Sequence, residues 1–132
     1  MVLVGLDRLP EVVKFSSTDL AVCNFALLHE EIAPILTAVH SVLRPRGVLL
    51  IQTVHPWTAN GTSDYVDGWR TEDFAWATCC FPEPMPWYFR TLESWTNTIR
   101  DSGFVLDTVA EPVHPETKKP LSLLLSAVRP GV

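Results

Sequence analysis

Apolar and polar positions change rhythm along the chain in an order that lays out its elements. Leu20–Phe25 is a short run apolar on both faces, as a buried parallel strand requires. In Glu30–Leu43 the apolar residues Ile32, Ile35, Leu36, Val39, Val42 and Leu43 fall on one helical stripe. Two acids stand near the start of this stretch, and Arg44 and Arg46 at its end suit the helix dipole. Pro45 and Gly47 then stop the helix and turn the chain. Val48–Val54 is a second buried run, so residues 19–54 predict a βαβ unit with parallel strands.

The rhythm fails over residues 55–90, which contain Pro56, Pro82, Pro84, Pro86, Gly61, Gly68 and four of the chain's five tryptophans. An aperiodic insertion of this length in a compact domain predicts a lid or binding loop. Periodicity returns in Thr91–Ser102, a helix with Leu92, Trp95 and Ile99 on one face and Gly103 as its C-cap. Phe104–Glu111 and Leu121–Arg129 are two more β runs, joined by the turn-rich HPETKKP. MVLVG at the start is a further short β-type run, closed by Leu6–Pro10.

The 132 residues fit one domain, 1–132, with a real core; nearly half are apolar, which argues against disorder. A net charge of −5 with scattered basic residues excludes a nucleic-acid backbone partner. No apolar run approaches the roughly 20 residues that span a bilayer, and MVLVG lacks the basic start of a secretory signal. Three cysteines, two of them adjacent at Cys79–Cys80, make neither a disulfide framework nor zinc-ligand spacing. A cytoplasmic protein with free thiols and no metal is expected.

DLAVCNFALLHEEIAPILTAVHSVLRPRGVLLIQTV, residues 19–54, resembles the second half of class I S-adenosylmethionine-dependent methyltransferases. In that family a strand and loop of the kind "fDlvvcnfaLhh" precede a helix ending in "vLrPgG.lli". VGLDRLP resembles the "vgDaerLP" after the family's third strand, and a terminal helix, "GF.l" and "lslll.a.rp" fit residues 91–129. The resemblance implies an α/β fold: a truncated Rossmann-like mixed sheet of four or five strands with flanking helices. It also implies S-adenosylmethionine as cofactor and a small-molecule substrate. The glycine-rich GxGxG loop with which the family grips that cofactor is not in these residues. The chain therefore reads as a truncated methyltransferase whose activity alone is impaired. Its class rival is a non-catalytic homodimeric remnant that binds a ligand or partner.

By the same resemblance Asp7 sits beside the adenine, although it also reads as a turn residue before an X-Pro break. Asn24, Phe25, Ala26 and Leu27 follow a strand's carboxyl end, where open α/β sheets bind ligands, and would run beside the methionine and sulfonium. Phe25 can face that cation or be a core side chain. His29 and His55 are candidate proton acceptors, His55 also a substrate-orienting group, because imidazole titrates near neutrality. His29 equally reads as a surface residue. Trp57, Trp69, Trp87 and Tyr88 with Arg70 and Arg90 suit a small, partly apolar substrate bearing a carboxylate. Alternatively the aromatics are the insertion's own small core. A strand such as Leu20–Phe25 left at a sheet edge needs covering, which predicts self-association, most simply as a dimer.

Overall fold

The computed structural model describes residues 6–72 and 85–131. MVLVG and Cys79–Cys80, together with Trp76, Pro82 and Pro84, lie outside the described residues. The first described turn, Leu6–Glu11, is 3₁₀. It leads into strand β1 (Thr18–Asn24), helix α1 (Ala33–Val42) and strand β2 (Leu43–Val54), with β1 and β2 parallel as the βαβ pattern requires. A short helix α2 (Pro56–Asn60) and strands β3 (Gly68–Glu72) and β4 (Met85–Phe89) occupy the aperiodic region. Helix α3 (Leu92–Asp101) and strands β5 (Val105–Ala110) and β6 (Ser122–Val128) complete the order.

Four strands form the main sheet in the order β1-β2-β6-β5, with β6 antiparallel to both neighbours. The terminal antiparallel pair and the mixed α/β architecture follow the expectation. The helix boundaries move. Pro34 in the first turn of α1 fixes the start, so Glu30 and Glu31 precede the helix instead of complementing its dipole. The helix ends at Val42, and Leu43 is already paired with Thr18. Arg44 therefore stands on a strand and pairs with Asp19 at 2.9 Å, an exposed contact worth under about 1 kcal/mol.

Every residue of the predicted α1 stripe is buried, from Ile32 to Leu43. All of them but Val42 pack with Trp95, Ile99 and Phe104 onto one face of the sheet, which offers Cys23, Leu49, Ile51, Leu123, Leu125 and Ala127. At roughly 1.5–3 kcal/mol for each large apolar side chain removed from water, this single cluster dominates stability.

The opposite face departs from the expectation of burial on both sides. Leu20 is 53% and Val22 57% exposed. The register puts them in rows with Val48 and Leu50 of β2, which are half-buried. A strand alternates its side chains, so covering one face leaves the other open unless a second layer packs there.

The insertion contains more structure than its rhythm suggests. β3 and β4 form a separate antiparallel pair, register Trp69 to Tyr88 and Arg70 to Trp87. Three contacts anchor it. The Tyr88 amide donates to the Leu28 carbonyl at 2.9 Å. The Asp67 carboxylate accepts from the Thr91 amide and the Ser94 hydroxyl, at 2.9 and 2.6 Å, at the start of α3. Arg90, directly after β4, donates to the carbonyls of His29 and Glu30.

Candidate functional site

β1 and β2 run side by side, so the loops that leave their carboxyl ends emerge together. Asn24 ends β1, and Phe25 leaves the sheet with a left-handed φ of 52° while its amide still donates to the Gln52 carbonyl at 2.8 Å. A non-glycine residue in that region costs on the order of 1–2 kcal/mol, held here by the ladder bond. From β2 the chain passes directly into His55 and the first turn of α2. Phe25 and His55 line one cleft of about 380 Å³ together with Glu72, Met85 and Trp87 of the second sheet. The site thus joins segments that lie far apart in sequence, from Phe25 to Leu121.

The imidazole of His55 is buried and its two nitrogens are both engaged. Nδ1 accepts the Trp57 amide at 3.1 Å and caps α2. A nitrogen that accepts an amide proton carries none itself, so in the neutral ring Nε2 holds the proton and donates to Glu111 Oε2 at 2.6 Å. This arrangement fixes the ring's orientation; taking a proton on Nδ1 would require breaking the cap. Glu111 stands 56 positions away and was not a sequence candidate, because nothing local marks a carboxylate at a strand's end as the partner of a distant histidine. The Thr58 hydroxyl donates to the Pro120 carbonyl at 2.5 Å, tying the same helix to the turn before β6.

The other candidates divide by position. Trp87 lines the cleft, whereas Trp57 and Trp69 are largely exposed outside it. Tyr88 packs edge-on to Trp69, ring centroids 5.5 Å apart. Leu27 is a core side chain, so only its backbone is available to a ligand; Ala26 and Asn24 are exposed. Asp7 lies in a separate open groove beside Glu31 and Pro34. The His29 ring is exposed and does not line the cleft; its carbonyl serves Arg90.

Both arginines expected to meet a carboxylate are committed within the fold. Arg70 donates to Asn60 Oδ1 at 3.1 Å and stacks over Phe89 at 4.1 Å. Arg90 is only 4% exposed, lies over the rings of Tyr88 and Trp95, and its Nη1 has no hydrogen-bond partner among the described residues. Burial pulls its pKa down, against the opposing pull of Asp67, Tyr88 and Glu30. Burial also pushes the Cys23 thiol up, which keeps it protonated and unreactive behind the β1 loop. Among the described residues no group of His, Cys, Asp and Glu could hold a metal ion.

No protein-family model and no curated protein matches the sequence. Solved structures do match the fold. A Listeria monocytogenes protein described as an S-adenosylmethionine-dependent methyltransferase aligns with a TM-score of 0.73 and 19% identity, over 96% of this chain and 67% of that one. An S-adenosylmethionine-dependent methyltransferase from Mesorhizobium loti gives 0.68 and 22%, over 96% and 67%. The 1,6-didemethyltoxoflavin-N1-methyltransferase of Burkholderia thailandensis, solved with bound 1,6-didemethyltoxoflavin and S-adenosylhomocysteine, gives 0.66 and 18%, over 98% and 50%. The chain has the fold of these methyltransferases and spans between half and two thirds of their length.

The His55 geometry gives a direct check. His55→Ala should cost about 0.5–2 kcal/mol of stability through the lost cap, and His55→Asn, a good capping residue, should recover most of it. A double-mutant cycle of His55→Asn with Glu111→Gln, read by urea denaturation, should show coupling of about 0.5 kcal/mol or more. Zero coupling would mean that the 2.6 Å contact contributes nothing.

Proposed function

We propose that this chain forms the acceptor side of an S-adenosylmethionine-dependent methyltransferase acting on a small molecule. The observation that carries the reading is the cleft at the carboxyl ends of two adjacent parallel strands, the place where open α/β sheets bind ligands. It is bordered by Phe25 in a strained conformation. Methyl transfer from a sulfonium is an in-line displacement, so the protein's work is to orient donor and acceptor and exclude water. Asn24, Phe25 and the backbone of Ala26 and Leu27 would hold the cofactor's methionine end, with the Phe25 ring suited to face a cation. S-Adenosylmethionine would supply the methyl group. His55, locked by its cap and by Glu111, would orient the acceptor.

The family's glycine-rich cradle is not among these residues, so the chain alone has only part of the cofactor grip. Titration calorimetry with S-adenosylhomocysteine should find weak binding or none, and amide shifts, where present, should centre on residues 24–27. A dissociation constant in the low micromolar range, about −8 kcal/mol, would contradict this impairment. Shifts centred elsewhere would remove the loop from the site.

A second reading, association of this chain with itself as a dimer, is favoured by the exposed pair Leu20 and Val22 on β1, an edge strand of the sheet among the described residues. An apolar edge is a template for further pairing, and a closed two-fold contact would cover it without open-ended stacking. No helix among the described residues is long and apolar enough to cross a membrane. The buried free thiol of Cys23 suits the reducing conditions of the cytoplasm. Light scattering should give a dimer mass that Val22→Lys lowers or converts to precipitate. A soluble monomer unaffected by concentration would overturn the dimer.

A further inference from the structure

Arg90 is almost wholly enclosed, yet one of its donors is left without a protein acceptor. Nη2 serves the His29 and Glu30 carbonyls, and the Tyr88 and Trp95 rings lie within cation–π range of the guanidinium. Nη1 is buried and has no hydrogen-bond partner among the described residues. Buried donors in folded proteins are paired with protein or with ordered water, so this nitrogen calls for an acceptor. The fold leaves room for one. Arg90 lines an internal cavity of about 10 Å³, which Tyr88, Trp95 and the buried Thr53 also line. One water needs roughly 10–15 Å³, so size excludes a polyatomic ligand. In so small a space every lining side chain is within reach of the same occupant.

We infer that this cavity is a binding site for one internal water, which accepts from Arg90 Nη1 and donates to the Thr53 hydroxyl oxygen. The inference stands whether or not the neighbouring cleft takes a methyl acceptor. A water has lone pairs for the guanidinium proton and two protons of its own, and a hydroxyl oxygen has lone pairs to receive one of them. A monatomic anion suits the place less. The Asp67 and Glu30 carboxylates already act on Arg90 through space, and most of the other lining side chains are apolar or aromatic. An anion would give up its hydration against such walls and meet a charge already opposed. The bridge has a structural consequence. Thr53 belongs to β2 and Arg90 directly follows β4, so the water ties the second sheet to the main one. Leu28, Val54 and Trp87 line both this cavity and the cleft, which sets the water directly behind the cleft wall.

A high-resolution crystal structure of the full chain tests this. A water oxygen should lie within about 3.2 Å of Arg90 Nη1 and of Thr53 Oγ1, and a sodium bromide soak should leave no anomalous peak there. In solution, water oxygen-17 relaxation dispersion should lose the amplitude of a single long-lived water in Thr53→Val, which removes the hydroxyl and little else. Thr53→Ser, which keeps the hydroxyl, should retain that amplitude. A dry cavity, a bromide peak or a protein acceptor on Nη1 would each overturn the inference. A dispersion unchanged in Thr53→Val would overturn it as well, because the bridge to β2 would then be absent. Neither measurement involves cofactor or turnover, so failure to bind S-adenosylhomocysteine would count against the methyltransferase reading alone.

Discussion

The buried guanidinium of Arg90 is the contact on which the site depends. Removing a cation from water is expensive, and a side chain that stays 4% exposed must be compensated by its surroundings. Here the His29 and Glu30 carbonyls accept from it, and the Tyr88 and Trp95 ring centroids lie 4.9 and 5.3 Å from it. These partners come from different places: the loop after β1, strand β4 and helix α3. One side chain therefore locks the second sheet onto the loop that carries Phe25, and the cleft between them takes its shape from that lock. The Tyr88 to Leu28 backbone bond runs alongside it and fixes the register of the contact.

The four-stranded sheet is stable for a different reason and in a different direction. Its covered face buries Leu49, Ile51, Leu123 and Leu125 beneath α1 and α3, while Leu20 and Val22 on the other face remain open. The cleft sits at the end of the sheet and shares Val54 with the open face of β2, but neither Leu20 nor Val22 lines it. The ligand site and the surface proposed for self-association are thus built from different residues, and each can be altered without the other.

The parts of this structure legible in the sequence are those held by local periodicity. The α1 stripe, the β1-α1-β2 crossover, the Thr91 start of α3 and the β5–β6 pair all follow from apolar spacing and turn residues. The second sheet escaped because its strands are short, rich in aromatics and interrupted by Pro86, so no alternation develops. The single-sidedness of β1 escaped because an apolar run states what a strand tolerates on its two faces, not what covers them. His55 was visible by position after β2, whereas Glu111 was not, since its role arises from a partner that only the fold supplies. Arg70 and Arg90 stood out in the sequence, but their partners within the fold did not: Arg90 meets backbone carbonyls, and Arg70 an amide oxygen and backbone carbonyls, none of which a pattern of side chains announces.

The most direct measurement is amide hydrogen exchange on Arg90→Gln, which removes the cation and keeps a polar side chain of useful length. Protection should fall in residues 85–89 and in the loop 25–31, while the central amides of β2 and β6 keep theirs, because Trp95 is the one core side chain in this contact and the strands are held by their own ladders and by Leu49, Ile51, Leu123 and Leu125. Unchanged protection in both segments would contradict the assignment of Arg90 as the lock between the second sheet and the β1 loop.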